Sequence, residues 1–105
     1  MYKNIGNQEF KLGIAHEDSV LIDVRSSREI TEGMIPGAIH LDIMTGAFSK
    51  AASEMDPSKS YYIYCRSGNR SGAACSFLAQ KGFNNLHNLR DGIMSWDGEI
   101  AVPQV

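Results

Sequence analysis

The stretch from residue 61 to 82 constrains this chain more than any other. Tyr61-Tyr62-Ile63-Tyr64 is a short aromatic run with the composition of a strand. It stops at Cys65 and passes through a small, polar loop, Cys65-Arg66-Ser67-Gly68-Asn69-Arg70-Ser71. A helical pattern over 71–81 follows, with Ala74, Phe77, Leu78 and Lys81 on one face. Gly82 stands where a C-capping glycine belongs. A strand that feeds a helix through a tight loop is half of a parallel βαβ unit.

The rest of the chain repeats that alternation. Val20-Leu21-Ile22 reads as a strand, as does Ala38-Ile39-His40-Leu41 after the turn signal Pro36-Gly37. Leu86 to Leu89 reads as another, and a weaker one covers 2–5. Helices are expected from a cap at Ser26 or Ser27 to about residue 32, with Glu29 in the first turn and Gly33 past the end. Two more are expected over 44–55, before Pro57, and over 91–97. The pattern predicts an α/β fold with a parallel sheet, in which ligands bind beyond the carboxyl ends of the strands.

Length and composition narrow the function. A chain of 105 residues is expected to be one domain, 1–105, and its net charge of −2 comes without any basic run, which argues against nucleic acid as a partner. No apolar stretch approaches the roughly 20 residues a membrane helix needs, so no membrane partner is expected. Met1-Tyr2-Lys3-Asn4-Ile5 lacks the apolar segment of a secretory signal, so the expected location is cytoplasmic. Cys65 and Cys75 lie ten residues apart, which is neither a disulfide scaffold nor a CxxC motif. His16, His40 and His87 are scattered, and none pairs with a cysteine at metal-ligand spacing, so no metal is expected. The chemistry falls to a free thiol.

The loop at Cys65 suits such a thiol. Gly68 and Asn69 are the residue types that best tolerate left-handed backbone angles, so successive N–H groups can curl inward into an anion-binding nest at a helix start. A helix N-terminus with nearby arginine lowers a cysteine pKa from its usual value of about 8.5, sometimes by several units. The same donors would hold an anionic sulfur added to Cys65, or the anion that delivers it. The bland alternative is a small buried hydrophobe, and the flanking arginines and the Gly-Asn turn weigh against it. Arg70, beside the helix start, is read as functional; Arg66 is left open between substrate contact and solvated charge.

Three motifs in order resemble the rhodanese family over nearly the whole chain. Leu21-Ile22-Asp23-Val24-Arg25, Glu29 and Gly33-Met34-Ile35-Pro36-Gly37-Ala38 resemble its first signature; residues 65–71 resemble its active-site loop. Gly82-Phe83-Asn84-Asn85-Leu86, with Leu89, Gly92 and Trp96, resembles its C-terminal signature. The resemblance implies a rhodanese-like α/β fold, a five-stranded, mostly parallel sheet flanked by helices on both faces. It implies a double displacement in which Cys65 takes sulfane sulfur from a small anionic donor such as thiosulfate and passes it, as a persulfide, to cyanide or a thiol. No metal or organic cofactor is required. Backbone amides from Arg66 through Ser67, Gly68, Asn69 and Arg70 to Ser71 would surround the persulfide. The chain departs from the family at Ile30, Met34 and Asp91, where an aromatic residue, a histidine and the first glycine of a pair are common. All three lie outside the loop and question local packing more than chemistry.

Other residues are assigned structural roles. Asp23, Arg25 and Glu29 are read as a charge network tying the first predicted helix to neighbouring loops, in preference to Asp23 as a catalytic acid. Phe83 and Trp96 are read as core. Cys75, two to three helical turns from Cys65, would sit roughly 10 Å or more away, too far for a disulfide without movement. Two rival functions remain. Cysteine-dependent phosphatases place five residues between cysteine and arginine, whereas four separate Cys65 from Arg70, which makes a smaller cradle. A persulfide carrier or interaction module, loaded by another protein, would show poor thiosulfate turnover.

Overall fold

Side-chain alternation along two central strands builds the molecule. In the computed structural model, which describes residues 1–102, the strands are β1 (Lys3–Ile5), β2 (Ser19–Asp23), β3 (Ile39–His40), β4 (Ser60–Tyr64) and β5 (Leu86–Leu89). They form one sheet in the order β1-β5-β4-β2-β3, and every neighbouring pair is parallel. Successive side chains on a strand point to opposite faces. Val20 and Ile22 of β2, with Tyr61 and Ile63 of β4, therefore enter one core, while Leu21 and Tyr64 enter the other. Because both faces are covered, these runs are apolar throughout.

The helices are α1 (Asn7–Ile14), α2 (Ser27–Ile30), α3 (Ala47–Ala52) and α4 (Asn69–Gln80); α1, α3 and α4 supply the cover, and α2 buries no residue. Phe48 and Ala52 of α3, with Ala74, Cys75 and Leu78 of α4, fill the first core. Phe10 of α1 fills the second, edge-on to Tyr62 and Trp96 at 5.5 and 5.8 Å between ring centres. The expected five-stranded α/β fold with helices on both faces is the one observed, and its sheet is parallel throughout. Phe83 is buried against Tyr61, and Trp96 is half-buried with its indole N–H donating to the Glu99 carbonyl at 3.1 Å. Among the described residues no helix is long and apolar enough to cross a membrane. The expected domain span of 1–105 includes three residues, 103–105, outside the described ones.

Local detail departs from the sequence pattern in four places. Helix α1 was not expected: its segment carries few apolar residues, with Leu12 exposed, and it is packing of Phe10 on the sheet that holds it. The helix expected over 44–55 is only Ala47–Ala52, because Asp42 accepts the Met44 N–H at 2.8 Å and Gly46 turns at φ +85°. The one expected over 91–97 is a 3-10 turn, Ile93–Ser95. Helix α2 ends at Ile30, and it starts with a capping box. The Ser26 hydroxyl accepts the Glu29 N–H at 3.3 Å while the Glu29 carboxylate accepts the Ser26 N–H at 3.1 Å.

Candidate active site

Cys65 sits directly beyond the carboxyl end of β4, at the middle of the sheet. The chain turns once, at Gly68, and starts α4 at Asn69. Gly68 has φ +101°, and a β-carbon there would collide with the Arg90 carbonyl oxygen. Two expectations change. The helix begins at Asn69 instead of Ser71, and Asn69 is helical; among the described residues only glycines have positive φ. A single glycine makes the whole turn, so Asn69 and Arg70 are free to join the first helical turn.

Donors converge on the sulfur. The Gly68 N–H donates to Cys65 Sγ at 3.2 Å, and the Ser71 hydroxyl lies 3.3 Å from it. The loop is shaped from outside as well. The carbonyls of Cys65 and Arg66 accept the N–H groups of Ile93 and Met94 at 2.9 and 3.1 Å. In a trans peptide the C=O and N–H point to opposite sides, so pulling these carbonyls outward turns the Arg66 and Ser67 N–H groups inward. Gly92, at φ +72°, makes this approach possible, since any β-carbon there would strike the Arg66 carbonyl. That explains why Asp91 is tolerated before it: the close approach needs glycine at 92, and Asp91 is exposed beside Arg90.

The arrangement sets the thiol's acidity. Cys65 is 1% exposed, and burial pushes its pKa up. The Ser71 hydroxyl and the N–H groups of Ser71, Ser67 and Gly68 push the other way, and together they leave the thiol below its ordinary value. Cys75, fully buried on α4, has burial and no such donors, and its thiol is pushed up to about 12.

The arginines divide. Arg70 was expected to serve the cradle, but its guanidinium forks onto Glu29, Nη1 to Oε1 at 2.6 Å and Nη2 to Oε2 at 2.9 Å. The planar fork matches a carboxylate, so Arg70 ties α4 to α2 instead of standing free for an anion. Arg66 is exposed, and among the described residues it forms no ion pair. Asp23 is fully buried and held by Arg25, Nε to Oδ1 at 3.0 Å and Nη2 to Oδ2 at 2.8 Å. Arg25 Nη2 also donates to the Gly33 carbonyl at 2.6 Å, joining β2 to the chain after α2. Of the histidines, His40 meets the Arg25 carbonyl, His87 stacks on Tyr62 and His16 is exposed. Met34 is joined through its backbone to Ala101, at 2.8 Å in both directions.

One participant was missed from sequence. Asn88 of β5 is 3% exposed, and its Nδ2 donates to the Gly68 carbonyl at 3.1 Å and to Asn4 Oδ1 at 2.9 Å. Its Oδ1 accepts from the Ser71 hydroxyl. The signal was present: asparagine is disfavoured in strands, and one inside the run Leu86-His87-Asn88-Leu89 of a buried sheet needs polar partners.

The model of the rhodanese-like domain family matches residues 6–99. A protein of Allochromatium vinosum named as a sulfurtransferase is 42% identical over 80 residues, covering 76% of this chain and 73% of that one. A tRNA uridine(34) hydroxylase of Nitrobacter winogradskyi is 36% identical over 97 residues, which cover 89% of this chain but only 38% of the relative. Among solved structures, a rhodanese-related protein of Thermoplasma volcanium superposes with a TM-score of 0.84 at 28% identity, covering 97% of this chain and all of that one. The match over nearly the whole length, in sequence and in fold, places the chain in the rhodanese-like domain family.

Proposed function

We propose that this protein is a cytoplasmic sulfurtransferase that carries sulfane sulfur on Cys65. One observation supports this above all: a buried thiol at a helix N-terminus, ringed by backbone N–H groups and a hydroxyl that lower its pKa. The name of the Allochromatium relative agrees with it. The Cys65 thiolate attacks the outer sulfur of thiosulfate, the S–S bond breaks, and sulfite leaves with the bonding pair. The new terminal sulfur carries the negative charge, and the N–H groups of residues 66 to 71 hold it there. Cyanide or a thiolate then attacks that sulfur and leaves as thiocyanate or a persulfide, returning Cys65 as thiolate.

The pairing of Arg70 with Glu29 bears on two rivals. Phosphate chemistry needs an arginine facing the cradle, and Arg70 is committed elsewhere. The same pairing leaves Arg66 as the loop's unpaired cation, which favours, as a second reading, a persulfide handed over by a protein donor instead of dianionic thiosulfate. The experiment is intact mass after incubation with thiosulfate or a low-molecular-weight persulfide. Gain of one sulfur atom, removed by cyanide and absent in Cys65→Ala, is expected. Loading by the persulfide alone selects the carrier reading, and loading by neither overturns sulfur transfer.

A further inference from the structure

Ser71 has one hydroxyl proton and two acceptors within reach. Its Oγ lies 3.3 Å from Cys65 Sγ and 2.5 Å from Asn88 Oδ1. A hydroxyl donates once, so the proton serves one of them at a time. Asn88 cannot rotate its amide to end the competition. Its Nδ2 is committed to the Gly68 carbonyl, which can only accept, and this fixes Oδ1 toward Ser71. Ser71 is fully buried and Asn88 nearly so, which leaves the contest to protein groups.

We propose that Asn88 is a positioning residue and Ser71 a two-position proton switch. The Ser71 proton lies on Asn88 Oδ1 when Cys65 is a neutral thiol or carries an added sulfur, and turns to Cys65 Sγ when that sulfur is a bare thiolate. The loaded half of this cycle rests on the sulfur-transfer reading above. A thiolate is a charged acceptor and wins the proton. In a persulfide the charge moves to the outer sulfur, the inner Sγ becomes a weak acceptor, and the proton swings back. Ser71 keeps its proton throughout and only its Cβ–Oγ bond rotates. Forming the thiolate therefore strips Asn88 of its donor, and loading with sulfur restores it. Asn88 thus opposes the free thiolate and favours the loaded site.

Other charges meet at this end of the sheet. Arg66 and Arg70 lie on the loop and α4, with Glu29 of α2 bound to Arg70; Asp23 and Arg25 at β2 bind each other. His40 ends β3 and Asp42 lies just beyond it, and Arg90 and Asp91 follow β5 in solvent. None of them is altered in an Asn88 variant, but the tie from Asn88 Nδ2 to the Gly68 carbonyl is, so the Ser71→Ala background is what separates that tie from the Ser71 proton.

The test is a pH titration of thiolate absorbance on the full chain, with Cys65→Ala as the baseline; Cys75 stays silent because its thiol lies near 12. Ser71→Ala is expected to raise the Cys65 midpoint. Asn88→Leu is expected to lower it by about half to one pH unit, roughly three- to tenfold more thiolate below the midpoint. In the Ser71→Ala background Asn88→Leu should move nothing, since Asn88 acts through Ser71. Should Asn88→Leu fail to fold, Asn88→Ser, too short to reach Ser71, must show the same fall. A rise in either Asn88 variant, or an equal shift without Ser71, overturns the switch. No sulfur donor enters this titration, so it stands apart from sulfur transfer; failure of the wild type to load would sink that reading and leave the titration intact.

Discussion

Cys65 and Cys75 stand ten residues apart, both are buried, and their thiols are driven in opposite directions. Burial penalises the thiolate at both. At Cys75, inside α4, the neighbouring N–H groups are committed to the helix's own hydrogen bonds, and burial prevails. At Cys65 the N–H groups of Ser67 and Gly68, before α4, and of Ser71, in its first turn, have no partner within the helix, and they reach the sulfur instead. A buried thiol in this fold is inert or acidic according to whether unsatisfied donors point at it.

The largest expected effect tests that contrast outright. Cys65→Ala should take up no sulfur from any sulfane donor, whereas Cys75→Ala should load as the wild type does, both read by intact mass. Loss of loading in Cys75→Ala would break the comparison, because it would put the buried helix thiol into the chemistry. Gly68→Ala comes next. It forces a β-carbon into the left-handed region and against Arg90, at a cost of about 1–3 kcal/mol in chemical denaturation. It also displaces the Gly68 N–H, so the Cys65 absorbance midpoint should rise. A variant that loses stability while keeping the midpoint would show that the Gly68 donor has little part in the acidity.

Cys75→Ser sharpens the other side. A hydroxyl at that fully buried site has only its own helix to bond, and about 1 kcal/mol of stability should be lost with sulfur loading unchanged. Loss of more than a few kcal/mol would mean the site packs around sulfur far more tightly than its neighbours suggest.

The same contrast explains what was legible in the sequence. Strand Leu86–Leu89 and the long helix were readable because apolar spacing and Gly82 mark them locally. The Cys65 loop was readable as a donor nest because its residues are contiguous. The fate of Arg70 was not, since its partner Glu29 lies 41 residues away and only the fold brings α2 to α4. Asn88 and the N–H groups of Ile93 and Met94 were missed for the same reason: they shape the loop from β5 and the turn after it. Helix α1 escaped because tertiary contact of Phe10, more than its own sequence, holds it.

The smallest expected effect concerns the clamp that holds the acidic thiol's loop in place. Hydrogen bonds from Arg70, opposed by burial and aided by Ser26, hold the Glu29 carboxyl at about 2, against 4.5 ordinarily. Its folded pKa lies below its unfolded one, so the pair's contribution is complete above about 4.5 and is lost as pH falls toward 2. Both side chains are partly exposed, and water screening limits the contribution to about 1 kcal/mol. Chemical denaturation across that window should show wild type losing about 1 kcal/mol more than Glu29→Gln, whose side chain does not titrate. Arg70→Met removes a positive charge near Cys65 as well, so its thiolate midpoint should rise slightly while Cys75 stays silent. An unchanged midpoint would reduce the pair to a mechanical tie between α2 and α4, and the acidity of Cys65 would then belong wholly to its N–H groups and Ser71.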